Sequence, residues 1–231
     1  MKKDKDFSIT ELFMLICIFS FILFFAIHIE MQKKHGQISH LIADIQKYKT
    51  AINEFNRKYG FLPGDLKKTE VFNLSIHNTD GNENDLIEDE NQIKGDYTKN
   101  IQGNGEILNF WLHLYKSKFI SKQKNIFPYI DFLNSGILIF TDGKDNYFNL
   151  SIDGIDKNLN IKTKYNLIPY HAYLIDKKID DSLPIDGDVF IMKGRTLNIN
   201  NMRKSYKDCA TDYEYLTIYK KKLCQLAIKL D

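Results

Sequence analysis

The stretch Leu12–Ile27, reading LFMLICIFSFILFFAI, decides how the rest of the chain is understood. Every residue in it except Ser20 is apolar, and Ile9 and Ile29 extend it on either side. At 1.5 Å of rise per helical residue the run measures roughly 30 Å, about one hydrocarbon thickness. A cleaved secretory signal would place small residues in an A-x-A pattern just after it, and the chain offers Phe25-Ala26-Ile27-His28-Ile29 instead. A core helix of a water-soluble fold would carry a polar face, and none exists here. A retained membrane helix is the favoured reading.

The surrounding chain is of a different kind. Its 231 residues are 43% hydrophobic and 27% charged, enough for one sizeable core but not for several domains. The 32 Lys+Arg and 30 Asp+Glu nearly cancel, and the net charge of +2 argues against binding nucleic acid through bulk charge. An aromatic share of 13%, with only 12 Gly and 4 Pro, argues against disorder. The mean hydropathy of -0.35 therefore averages a polar chain with one greasy end. Lys2, Lys3 and Lys5 before the run favour a cytoplasmic N-terminus, while Lys33 and Lys34 behind it blunt that argument.

At the edge of the run stands Glu11, a carboxylate that must stay at the interface or find a partner. The order is a short Lys-rich head, then Phe7-Ser8-Ile9-Thr10-Glu11, then the apolar run. It resembles the class III signal of type IV pilins and type II secretion pseudopilins. The resemblance implies cleavage by a prepilin peptidase between Asp6 and Phe7, and N-methylation of Phe7. It also gives Glu11 the role of setting register, by pairing with the N-terminal amine of a neighbouring subunit so that burial of the charge is offset only in the assembly. The family's usual residue before the cut is Gly, and this chain has Asp6 there. Where many pilins carry Gly and Pro in the helix, it has Ser20 and His28.

Behind Gly36 the pattern turns amphipathic. Ile38, Leu41, Ile45, Tyr48, Ile52, Phe55 and Tyr59 fall alternately three and four apart, with Lys47, Lys49, Glu54 and Arg57 off the stripe. No Pro interrupts residues 7 to 59, so one long helix is expected, stopped by Gly60 and the Pro63-Gly64 turn. A coiled-coil seam would show the same spacing, and that alternative stays open. The segment YGFLPGDL, the loop Gly103-Asn104-Gly105-Glu106-Ile107 and the following Phe110-Trp111-Leu112-His113-Leu114 are similar to segments of the prepilin-like group. Trp111 is read as core on a short helix docked on the long one.

The second half reads as strands. Gly136–Thr141 and Tyr147–Leu150 flank an Asp-Gly turn and form an expected hairpin, and Asp188–Met192 with Arg195–Ile199 form another. Between them AYLIDKKIDDSLPIDGDV is similar to a prepilin-like segment of short helix, acidic turn and strand. Asp176, Asp180 and Asp181 in it are read as turn chemistry rather than a metal site. Asn78–Asn91, NTDGNENDLIEDEN, opens like a calcium loop at Asp80, Asn82 and Asn84, but Asp85 and Asn91 stand where Gly and Glu are needed. It is read as a solvated acidic loop.

Of three Cys, Cys17 lies in the apolar run as a small hydrophobe. An exported domain would make Cys209 and Cys224 a disulfide; two free thiols are the alternative. There is no G-x-S-x-G, Walker A, H-E-x-x-H or dinucleotide fingerprint, so neither an enzyme nor a cofactor is expected.

The expected fold is α+β: a long N-terminal helix, membrane-embedded in its first half, packed on a small antiparallel-sheet domain in the pilin-like manner. Residues 1–6 would be a basic leader, 7–60 the helix with a transmembrane segment at about 9–29, and 61–231 the α+β domain. The resemblance implies a subunit of the bacterial inner membrane with its C-terminal domain in the periplasm. Its partners would be other pilin-like subunits, the prepilin peptidase and an assembly platform. A non-polymerising, single-pass membrane-anchored periplasmic binding protein is the alternative, favoured by Asp6, and a tethered hydrolase a third.

Overall fold

The computed structural model describes residues 8–67, 81–96, 99–121, 127–155, 161–193, 200, 202–204 and 207–230. The chain forms two compact units, Met1–His40 and Leu41–Asp231, and the division falls inside a single helix. That helix, α1, runs Ile9–Tyr59 without a break. It ends where Gly60 takes φ of 83°, the left-handed conformation that stops helices and that residues with a Cβ avoid.

In the first unit the apolar run is exposed along its whole length. The segment is therefore not the core of this chain, and α1 is long and apolar enough to cross a membrane. Ser20, the one polar residue in the run, donates its hydroxyl to the Ile16 carbonyl at 2.8 Å, so it presents no unpaired donor to hydrocarbon.

The second unit is α+β: the remainder of α1 packs on a small antiparallel-sheet domain. From Leu41 onward the expected stripe is the buried face, with Leu41, Ile45, Ile52 and Phe55 all inside the core. Helices α2 (Glu90–Ile93) and α3 (Glu106–Lys116) follow. Ile107, Phe110, Trp111 and Leu114 of α3 are spaced i, i+3, i+4 and i+7, and all four are buried. Trp111 meets Tyr48 of α1 edge-on at 5.1 Å on one side and stacks on Phe148 at 6.1 Å on the other. The core reading of Trp111 is correct, and the residue joins helix to helix to sheet.

Strands β1 (Tyr129–Ile130), β2 (Ser135–Thr141), β3 (Asn146–Ile155), β4 (Ile161–Thr163), β5 (Val189–Ile191) and β6 (Leu226–Lys229) form one antiparallel sheet. Its order is β1-β2-β3-β6-β5, with β4 also on β3. The β2–β3 hairpin forms as expected, with Phe140 opposite Tyr147 and Asp142 closing the turn by accepting from the Lys144 and Asp145 amides. Of the second expected hairpin only the first strand is described, and Met192 at its end bridges Met202 in the antiparallel sense. The partner of β5 is the C-terminal strand β6, with Phe190 opposite Ala227, whereas Arg195–Ile199 lies outside the described residues. Pairing across this distance in sequence leaves no turn signal to read. Helix α4 (Pro169–Ile179) starts with Pro169 in its first turn, where the missing N–H costs nothing.

Cys209 and Cys224 are joined in a disulfide, with Cα atoms 5.2 Å apart and a sequence separation of 15. Both are buried, and the Cys224 amide donates to the Leu167 carbonyl at 2.9 Å, tying the bridge to the start of α4. In the chain-entropy model a loop of this length contributes about 3 kcal/mol. Cys209→Ser with Cys224→Ser is therefore expected to lower the urea-unfolding free energy by about that much, and reductant should do the same to the wild type. Coincident unfolding curves would show that the bridge contributes nothing.

Candidate functional site

Asp6 and Phe7 lie outside the described residues. Glu11 is described, in the first turn of α1. Its Oε2 accepts the Ser8 backbone N–H at 3.0 Å. The Ser8 hydroxyl in turn accepts the Thr10 N–H at 3.3 Å and shares a 2.7 Å bond with the Thr10 hydroxyl. This is a variant of the capping box, in which the side chain of the first-turn acid reaches back to the N-cap amide while the N-cap hydroxyl covers a free amide of the first turn. The acid also faces the positive end of the helix dipole. The signal was present in the sequence, since Ser8-Ile9-Thr10-Glu11 is S-x-x-E in front of an apolar run. Reading Glu11 only as an intermolecular group passes over this local partner.

The second constellation is a buried acidic centre: of the loop read as solvated, residues 78–80 lie outside the described residues and residues 82–85 are exposed, but Glu88 and Asp89 are not. Glu88 and Asp89 are buried, as are Asp65 and Glu106. The loop after Gly81 wraps around the Asp65 carboxylate: Oδ1 accepts the Glu83 and Asn84 amides at 2.6 and 3.2 Å, and Oδ2 the Asp85 amide at 2.7 Å. Glu83 and Asp85 both adopt φ of 64°, which aims successive amides inward as in a nest for an anion. Glu106 accepts the Asn82 amide through one oxygen and the Glu88 amide through the other, both at 2.9 Å. Glu88 accepts the side-chain amides of Asn82 and Asn84 at 2.6 and 2.9 Å. Asp89 caps α2 and accepts the Gln102, Gly103 and Asn104 amides through Oδ2.

Three sequence motifs thus meet in one place. The Gly64 amide donates to Nδ1 of His113 at 2.9 Å, which puts the ring proton on Nε2. A Cβ on Gly64 would lie 2.5 Å from the Glu106 carbonyl oxygen, so only Gly permits this approach of the Pro-Gly-Asp turn to α3. Gly105, at φ of 64°, brings the head of α3 against the Glu88 backbone in the same way. Burial pushes the Glu106 carboxyl up to about 8, with Asp65 and Glu88 adding to the rise and the two backbone amides opposing it. Burial likewise raises Asp65 and lowers His113 to about 4, so His113 is neutral at neutral pH. These carboxylates serve as internal anchors: each already accepts from the loop it organises, which is the arrangement of a fold-specifying polar core.

Asp176, Asp180 and Asp181 have carboxylate oxygens within 4.8 Å of one another. Asp180 accepts the Asp188 and Val189 amides, the latter at 3.1 Å, which is the expected turn chemistry leading into β5. Asp176 is fully buried; it accepts the Ser182 amide at 3.0 Å and the Tyr215 hydroxyl at 2.7 Å. Burial raises Asp176 to about 7, against the opposing pull of those two donors. No family model, curated protein or solved structure matches the chain.

Proposed function

We propose that the chain is a pilin-like subunit of a type IV pilus or type II secretion pseudopilus, held in a bacterial inner membrane by α1 with its sheet domain in the periplasm. On this reading a prepilin peptidase cuts between Asp6 and Phe7 and methylates the new N-terminus at Phe7, and an assembly platform then adds the subunit to the filament. The observation that carries the proposal is one carboxylate, Glu11, at the N-terminal edge of the exposed apolar run of α1. Hydrocarbon or the apolar helices of other subunits suit that surface equally, but Glu11 suits neither unless a cation meets it. An N-terminal amine on a neighbour supplies one. The Ser8 amide that Glu11 accepts offers a partial dipole in place of a full charge, so exchanging it for an ammonium favours assembly.

The same bond supports the second reading, a permanently anchored binding protein that never polymerises. A capped Glu11 has a partner within its own chain, and Asp6 departs from the Gly expected before the cut. One experiment separates the two. The full chain is expressed with prepilin peptidase and platform, the N-terminus is weighed, and subunits are cross-linked in the membrane. Loss of residues 1–6 with a methyl gained is expected, and Glu11→Ala should insert normally yet cross-link about tenfold less, the equivalent of losing one partly buried ion pair. An intact N-terminus together with no subunit cross-linking above background in wild type or Glu11→Ala would leave the anchored reading standing alone.

A further inference from the structure

The surface between α4 and the disulfide-closed segment 209–224 holds a cavity of ≈ 440 Å³. Tyr170 and Tyr173 of α4 line it from one side, Ser182 from the turn after α4, and Tyr213, Glu214 and Tyr215 from the other. The rings of Tyr173 and Tyr215 meet at an angle of 62° with centroids 6.3 Å apart, making a corner rather than a flat wall. The corner is fixed. Tyr215 is buried and its hydroxyl donates to buried Asp176, while the disulfide closes the strip that carries it. Tyr213, by contrast, is 83% exposed and leaves its ring free to close over a guest.

The electrostatics of this cavity favour a positive guest. Among the described residues its lining holds one charged side chain, Glu214, beside Ser182 and Thr217, and Ser182 directly follows the Asp180–Asp181 pair. Two of these rings already hold ammonium groups of the chain itself, Lys177 Nζ 5.5 Å from the Tyr173 centroid and Lys220 Nζ 6.0 Å from that of Tyr170. The faces thus accept a cation, and a cationic guest competes with both lysines for them. Small, strongly hydrated metal ions seek converging oxygens, whereas large, weakly hydrated alkylated ammonium ions are held by aromatic faces with a carboxylate close by. Four tyrosines and one glutamate form the second kind of site. We infer that this cavity binds an alkylated ammonium group, as carried by a choline-type headgroup or a methylated lysine.

The test uses the full chain in a maltoside detergent, with ligand-observed NMR and calorimetry. The probes are tetramethylammonium, choline, phosphocholine, a trimethyllysine peptide and 3,3-dimethylbutan-1-ol, the neutral isostere of choline. Choline and tetramethylammonium are expected to bind at least about tenfold more tightly than the neutral isostere. Tyr213→Ala removes an exposed ring without touching the core and should weaken choline several-fold, as should Tyr173→Leu, while Tyr173→Phe keeps the ring face and should bind as the wild type does. Tighter binding of phosphocholine than of the peptide assigns a lipid headgroup, and the reverse a modified protein; either supports the site. Equal binding of the neutral isostere, absence of binding by every cation, or unchanged affinity in both Tyr213→Ala and Tyr173→Leu would overturn it.

Discussion

Trp111→Ala is expected to destabilise the domain by about 3–5 kcal/mol, the range for deleting a large buried aromatic. Trp111 is 2% exposed and touches three layers at once: Tyr48 on the long helix, Phe110 on its own helix at 5.0 Å, and Phe148 on the central strand β3. Phe148 cannot readily follow a shrinking side chain, because it is held in register by β2 and β6 on either side. The cavity should therefore stay open instead of collapsing, which puts the cost toward the upper end. Set against a typical domain stability of about 5–15 kcal/mol, such a loss is a large fraction of the whole. Urea unfolding followed by circular dichroism measures it; a change under about 1 kcal/mol would mean that α1, α3 and the sheet do not share one core.

The second large effect is a dependence on pH, carried by Glu106. Its carboxyl titrates near 8 in the folded chain against the ordinary 4.5, so between those values the native state holds a proton that the unfolded chain has released. Stability should fall as pH rises from about 4.5 to about 8 and be level on both sides of that window. At about 1.4 kcal/mol per unit the change amounts to a few kcal/mol, shared with Asp65, whose charge acts on Glu106. Glu106→Gln should flatten much of this slope. Below pH 5 the variant should be less stable than wild type by roughly 1–3 kcal/mol, because one of the amides of Asn82 and Glu88 loses its acceptor. Above pH 8 that deficit should narrow or reverse, since the wild type then buries a charge and the variant does not. Urea midpoints of both proteins at pH 5 and pH 8.5 decide the matter; parallel pH profiles would show that Glu106 is not the responsible group.

The acidic centre shows why part of the candidate chemistry was not legible beforehand. Asp65, Glu88, Asp89 and Glu106 are spread over 42 positions, and a carboxylate has the same letter in solvent as it has inside a nest of amides. What could be read was the need for special backbone: Pro63-Gly64, Gly103 and Gly105 mark turns in any context, and Gly64 and Gly105 prove to be the places where backbone meets backbone. The S-x-x-E box at Ser8–Glu11 was fully local and could have been read. The pairing of β5 with β6 could not, because strands 35 residues apart leave no mark at either end of the distance.

By itself the sequence determined what depends on near neighbours. The unbroken apolar run, the alternating three-and-four stripe, the stop at Gly60 and the Asp-Gly hairpin are each written within one or two helical turns or across a tight turn. Their physics is short-ranged: hydrogen bonds four residues apart, steric limits on φ, and a periodicity that exposes one face. Only the tertiary structure decided which carboxylates are buried, which strand β5 joins, and that Tyr170, Tyr173, Tyr213 and Tyr215 enclose one cavity. Those outcomes turn on which surfaces lose water together, and desolvation is a property of the folded whole rather than of any segment.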